Sequence, residues 1–182
     1  MKNSKKPVLI AVSGVKNSGK TTLIQKVIPK LNENGLKVAT IKHDGHDFEA
    51  DVEGTDTYKH KKAGAYGTAI FSKNKFMVVK DQNNTCEEEL MSYFQDADVI
   101  LLEGFKNSDY PKLEIVRKGN SDCSVCKKET LLAIVTDTIV SNIDEKNDNI
   151  IILDINDIDK IAEFLLEYIG RCSIWKTFTK EK

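Results

Sequence analysis

The sequence predicts an α/β fold in three layers: a mostly parallel, doubly wound sheet with helices on both faces and an added hairpin. Three observations carry this. Apolar runs of strand length alternate with amphipathic helical stretches along most of the chain. Within Asp98-Val99-Ile100-Leu101-Leu102-Glu103 the apolar residues are continuous, as a parallel strand covered on both faces requires. The first strand, Val8-Leu9-Ile10-Ala11-Val12, leads directly into a loop containing Gly14 and Gly19 and then into a helix.

Each element follows from its local pattern. Residues 21–34 read as a helix with Leu23, Val27, Ile28 and Leu31 on one face, Pro29 as a kink or weak point, and Gly35 as its end. Residues 36–42 form the next strand, and strand, helix, strand in that order make a right-handed parallel crossover. Residues 43–52 are polar without periodicity and read as a loop. A short helix starts near Gly54-Thr55-Asp56 and ends near Ala63-Gly64. Ala69-Ile70-Phe71 and Phe76-Met77-Val78-Val79 flank the turn Ser72-Lys73-Asn74-Lys75 as a hairpin. Residues 87–94 are helical. Strands follow at residues 113–117, 131–135 and 150–153, and residues 155–169 form an amphipathic helix with Ile158, Ile161, Phe164, Leu165 and Tyr168 inward. This organisation predicts one nucleotide-binding domain at residues 7–170, a flexible N-terminal tail at 1–6 and a C-terminal tail at 171–182.

At 182 residues, 40% hydrophobic and 30% charged with net charge −1, the chain suits one α/β domain, with no global attraction to nucleic acid or anionic membrane. Its longest apolar runs are far too short to span a bilayer. The basic start, Met1-Lys2-Asn3-Ser4-Lys5-Lys6-Pro7, enters the first strand and loop directly, so a cytoplasmic protein is expected. Cys86, Cys123, Cys126 and Cys172 are then expected as reduced thiols. Cys123-Ser124-Val125-Cys126 has the spacing of half a tetrahedral zinc site, with Cys86 and Cys172, or a second subunit, needed to complete it.

The loop Gly14-Val15-Lys16-Asn17-Ser18-Gly19-Lys20-Thr21-Thr22 sets the ligand class. Its glycines let consecutive backbone N–H groups turn toward phosphate oxygens, Lys20 reaches the outer phosphates, and Thr21 opens the helix where its hydroxyl can bind Mg²⁺. This is the phosphate loop of a P-loop NTPase fold. Glu103, at the end of the buried strand, has the placement of the second acidic group that phosphoryl chemistry requires near the metal. Asp44, just past another strand end, is placed to hold a metal-bound water or orient an attacking water. His43 and His46 share that loop, and Lys42, Lys106 and Lys112 are expected to add positive charge at the same edge. Asp137 follows the strand Ala133-Ile134-Val135, where its carboxylate can accept the N1 and N2 donors of guanine, which adenine lacks. This favours GTP over ATP.

Together, the 14–22 loop, the stretch Ile41-Lys42-His43-Asp44-Gly45-His46 with Gly54-Thr55-Asp56-Thr57 and Ala63-Gly64-Ala65, and Leu102-Glu103-Gly104-Phe105-Lys106 with Pro111-Lys112-Leu113-Glu114 resemble the MobB family of molybdopterin-guanine dinucleotide biosynthesis adapter proteins. The resemblance spans roughly residues 7–170. It implies a GTP-binding, weakly hydrolysing protein that forms a homodimer and assists the guanylyltransferase that attaches GMP to molybdopterin. Molybdopterin itself, or its guanine dinucleotide form, is a further implied partner. Carried onto this chain, residues 14–22 hold the GTP phosphates, Thr21 and Glu103 hold Mg²⁺, and the loop at 43–47 faces the nucleotide or the pterin-bearing partner. Lys16 is expected to act across a dimer interface, as a similarly placed lysine does in related dimeric P-loop proteins. The Cys123/Cys126 segment departs from the family pattern. A metallochaperone-type GTPase, suggested by the two histidines and the cysteine pair, and a small-molecule P-loop kinase are the alternative readings.

Overall fold

A computed structural model describes residues 6–143 and 149–178. Of the tails expected at 1–6 and 171–182, residues 1–5 and 179–182 lie outside the described residues.

The contacts divide the chain into two compact units, residues up to His43 together with Leu90 onward, and Asp44–Glu89. The first unit contains β1 (Val8–Gly14), α1 (Lys20–Glu33), β2 (Val38–Lys42), then β5 (Val99–Glu103), β6 (Lys112–Val116), β7 (Leu131–Thr136), β8 (Ile151–Asp154) and α4 (Ile158–Phe178). Its six strands lie in the order β2-β5-β1-β6-β7-β8, and every pairing is parallel. The expected doubly wound sheet is present, and β1, which feeds the phosphate loop, lies between β5 and β6.

Alternation along the strands supplies both faces of the sheet. Ile10 and Val12 of β1, with Val99 and Leu101 of β5, pack beneath Leu23, Val27 and Leu31 of α1 and Ile161, Leu165 and Ile169 of α4. Ala11, Ile100 and Leu102 face the other way, with Ile41, Met91 and Phe94. Farther along that sheet, Val116, Ile134 and Val140 form a separate cluster. Burial of β5 on both faces explains its unbroken apolar run: Val99, Ile100, Leu101 and Leu102 are essentially inaccessible.

α1 continues through Pro29 to Glu33. Gly35, at φ +79°, then reverses the chain, and Leu36 N–H donates to the Leu31 carbonyl at 3.2 Å. α4 runs on to Phe178, past residue 170, where the nucleotide-binding domain was expected to end.

The second unit holds α2 (Asp56–Lys62), β3 (Gly67–Phe71) and β4 (Phe76–Lys80). β3 and β4 pair antiparallel as the expected hairpin and form a two-stranded sheet of their own. Thr55 caps α2, its Oγ1 accepting the Tyr58 N–H at 3.3 Å. The short helix α3 (Glu87–Met91), followed by a 3₁₀ turn at Ser92–Phe94, leads back toward β5.

Candidate functional site

Backbone geometry shapes the loop after β1. Gly14 has φ +138°, and a Cβ there would meet the Ile115 carbonyl oxygen at 2.6 Å and Ser18 Oγ at 2.8 Å. Only glycine fits where the loop leaves β1 against β6. Gly19 at φ +99° closes the loop at the first residue before α1, and Asn17 between them is also left-handed at φ +61°. Asn120, in the turn after β6, donates its side-chain N–H to the Lys16 carbonyl at 3.1 Å and braces the loop from that side.

Within this frame Lys20 Nζ donates to the Val15 carbonyl at 2.7 Å and to that of Gly14 at 3.4 Å, so the ammonium lies on the loop. Burial lowers the pKa of Lys20; Glu103 opposes the shift, while Lys106 and Lys42 add to it. Ser18 is fully buried and its hydroxyl oxygen has no hydrogen-bond partner. An orphaned buried hydroxyl, a cradle that a Cβ would fill and a lysine curled over it together fit a bound phosphate group.

Thr21 and Glu103 meet where α1 begins. Thr21 Oγ1 donates to Glu103 Oε1 at 2.7 Å, and Glu103 pairs in register with Val12 of β1 and Lys42 of β2. Two hard oxygen donors side by side at the mouth of a phosphate loop fit Mg²⁺. After Glu103 the chain turns through Gly104 (φ +106°) and Phe105 (φ +51°). Ser13 Oγ donates to the Gly104 carbonyl, and the Phe105 ring packs against His43 (centroids 5.8 Å apart) and Tyr110 (6.2 Å). The Glu-Gly-Phe segment is thus held between β1 and the end of β2.

The loop residues Gly14, Val15, Lys16, Asn17, Ser18, Gly19 and Lys20, with Thr21, Thr22 and Glu103, therefore converge at the C-terminal edge of the sheet. Asp44 and His46 belong to the second unit, and their expected role rests on the sequence. Lys112 is a correction: it was expected to add charge at the ligand edge, yet it is fully buried in β6 and its ammonium donates to the Ser108 carbonyl at 2.6 Å. Asp137 lies at the expected strand end. Its Oδ1 accepts the Lys118 N–H at 2.7 Å and its Oδ2 faces Arg117 Nε at 3.9 Å.

Arg117 is the residue that sequence reasoning missed, because its strand looked like any other alternating strand. Its Nη1 comes within 3.4 Å of where a Cβ on Gly19 would stand.

The cysteine pair is organised by a carboxylate. Glu114, fully buried in β6, accepts from Ser124 Oγ at 2.5 Å, Val125 N–H at 2.6 Å and Cys126 N–H at 3.4 Å. Cys123 Sγ lies 3.1 Å from Ser141 Oγ. Burial, reinforced by Glu114, pushes the Cys126 thiol up to about 12, away from the thiolate that zinc needs. Among the described residues no three His, Cys, Asp or Glu side chains gather as a metal site. The zinc site that the Cys123/Cys126 spacing suggested finds no support among the described residues.

With this geometry in place, comparison with known proteins gives a consistent result. Residues 9–137 match the family model described as molybdopterin guanine dinucleotide synthesis protein B, MobB. The chain is 32% identical to the molybdopterin-guanine dinucleotide biosynthesis adapter protein of Escherichia coli K12 over 90% of this chain and 94% of that protein. It is 29% identical to the protein of the same name from Haemophilus influenzae, over 88% and 89%. Among solved structures, Bacillus subtilis MobB superposes with a TM-score of 0.67 at 28% identity, covering 86% of this chain and 97% of that one.

Proposed function

The chain belongs to the MobB family of adapter proteins in molybdopterin guanine dinucleotide biosynthesis, and from that premise we propose that it works by holding GTP with Mg²⁺ on its phosphate loop. In this reading it is a cytoplasmic homodimer that assists the guanylyltransferase joining GMP to molybdopterin, with molybdopterin or its guanine dinucleotide form as the cargo. Among the described residues no helix is long and apolar enough to cross a membrane.

The observation that carries the reading is the Thr21–Glu103 hydrogen bond, 2.7 Å long, beside a lysine folded onto the loop. Thr21 and Glu103 would hold Mg²⁺, which when bound neutralises charge on the outer phosphates. Lys20 is hydrogen-bonded to loop carbonyls, so it exchanges those acceptors for phosphate oxygens. The N–H groups of residues 15–21 supply the remaining donors. Lys16, exposed on the loop, is the residue proposed to reach across to a second subunit, and Asp44 the one to orient water. Asp137 is the residue of the site proposed to favour guanine. Hydrolysis is slow in this reading, which suits an adapter.

Calorimetric titration of the protein with GTP and ATP in the presence of Mg²⁺, repeated on Lys20→Ala, tests it. Binding with a GTP preference, lost on Lys20→Ala, is expected. An ATP preference, or binding indifferent to Lys20, would overturn it.

A further inference from the structure

The sheet order gives the nucleotide site a direction. Glu103, with Thr21 bonded to it, belongs to β5, on one side of β1, while β6, β7 and β8 lie on the other side. A metal-bearing outer phosphate on the β5 side leaves the inner phosphate and nucleoside to cross Gly19 toward β6. The group waiting there is Arg117, the first residue after β6. Its guanidinium stands against Gly19 and borders a small cleft of about 60 Å³ with Thr22, Lys26, Ile155 and Asn156.

Resting on the nucleotide reading above, we propose that Arg117 is a nucleotide-binding residue that grips the inner-phosphate and ribose end of a nucleoside di- or triphosphate, and that Asp137 is its positioning residue. Three features support this. The guanidinium already reaches the loop, its Nη1 in contact range of Gly19, 3.4 Å from where a Cβ would stand. Asp137 has one carboxylate oxygen fixed by the Lys118 N–H, which aims the other at Arg117 Nε. Asn120, three residues on, ties the same turn to the loop through Lys16, so Arg117 and the phosphate cradle form one framework. A planar fork of donors suits phosphate and ribose oxygens together, which a lysine cannot match. This places the arginine away from the outer phosphate, where it cannot discriminate GTP from GDP.

That absence of discrimination is the test. GTP and GDP are titrated calorimetrically into wild type, Arg117→Gln, Asp137→Asn, the double variant and Lys20→Ala, with thermal unfolding of each measured alongside. Arg117→Gln is expected to weaken GTP and GDP by the same factor, about tenfold. Asp137→Asn should weaken GTP and GDP by the same factor and combine with Arg117→Gln less than additively, since part of its effect runs through that residue while its guanine contact does not. Unchanged affinity in Arg117→Gln, or a loss confined to GTP, overturns the proposal while Lys20-dependent binding leaves the nucleotide reading standing. Wild type that binds neither nucleotide overturns both. Arg117→Lys keeps the charge without the fork and guards against misfolding of the glutamine variant: affinity between the two is expected, and full wild-type affinity in it argues against the fork.

Discussion

Replacing Gly14 by alanine puts a methyl group where the fold has no room. The ideal Cβ would stand 2.6 Å from the Ile115 carbonyl oxygen and 2.8 Å from Ser18 Oγ. Ser18 can rotate its hydroxyl, but Ile115 lies in β6, which is paired to β1 on one side and β7 on the other. The backbone at φ +138° costs a non-glycine residue about 1–3 kcal/mol. Forcing the carbonyl aside adds about 1–3 kcal/mol, the usual range for overpacking. The sum, about 2–6 kcal/mol, corresponds to a fall in melting temperature of roughly 5–20 °C for a chain of this size. Gly119→Ala separates the two terms, because Gly119 has a positive φ of +76° and nothing within 4 Å of its missing Cβ. It should lose only about 1–2 kcal/mol. Calorimetric unfolding of nucleotide-free protein reads both variants. A Gly14→Ala variant that melts with Gly119→Ala would refute the claim that β6 sets the shape of the loop, and with it the reason for glycine there.

Other predictions draw on separate parts of the molecule. Thr21→Val removes the hydroxyl that faces Glu103, so GTP binding should lose most of its dependence on Mg²⁺ while Mg²⁺-free binding stays; titration with and without the cation decides it. Glu114→Gln leaves an amide N–H₂ among the Ser124, Val125 and Cys126 donors and should destabilise the protein by about 1–3 kcal/mol in urea unfolding; a midpoint equal to wild type would deny Glu114 its role as anchor. Because burial favours the neutral thiol, Cys126 should resist alkylation near pH 8 and gain reactivity only as pH rises toward about 12, as followed by mass spectrometry. Rapid labelling of Cys126 at neutral pH would contradict its burial. Leu101→Ala should cost about 2–5 kcal/mol, since its side chain is 1% exposed in the central core.

How much of this was legible in the chain depended on how local each signal is. Val99 to Leu102 announced a doubly covered strand because four consecutive apolar residues have no other economical place. The loop was legible because glycines, lysine and threonine at fixed spacing leave one geometry. Glu103 followed from being the first polar residue after such a strand. Lys112 misled for the opposite reason, and Glu114 is buried in the same way. Charge in a sequence reads as exposure, yet here carbonyl and amide partners from Ser108 and residues 124–126 allow both groups to be buried. Those partners are 4 to 12 positions away and come close only once the turns after β5 and β6 have formed. Arg117 was invisible because its meaning depends on β6 lying beside β1, although 101 residues separate Val12 from its register partner Leu113. The separate packing of Asp44–Glu89 left no trace in composition either, since its hairpin reads like any pair of strands.

The position of the arginines also bears on rate. The chain has two, Arg117 and Arg171. Arg171 pairs with Glu167 one turn away on α4, at 3.7 Å, a structural role on a helix surface. Arg117 stands on the β6 side of the loop, across β1 from the Thr21–Glu103 pair proposed above to hold the metal at the outer phosphate. Fast hydrolysis needs a cation at the outer phosphate as charge develops, and an arginine there is worth about 10³–10⁵ in rate. Lys20 supplies one positive charge, lowered in pKa by its burial, and it already serves the ground state. Stabilising ground and transition states alike gives affinity without turnover. On the function proposed above, such a chain binds nucleotide and hydrolyses it slowly unless a second subunit or the proposed transferase partner brings a further cation. Single-turnover hydrolysis should therefore stay slow in Arg117→Gln once GTP is saturating, at the wild-type rate, because the residue acts on binding. A rate that drops with Arg117 at saturating GTP would move the guanidinium to the outer phosphate and reverse the direction assigned to the site.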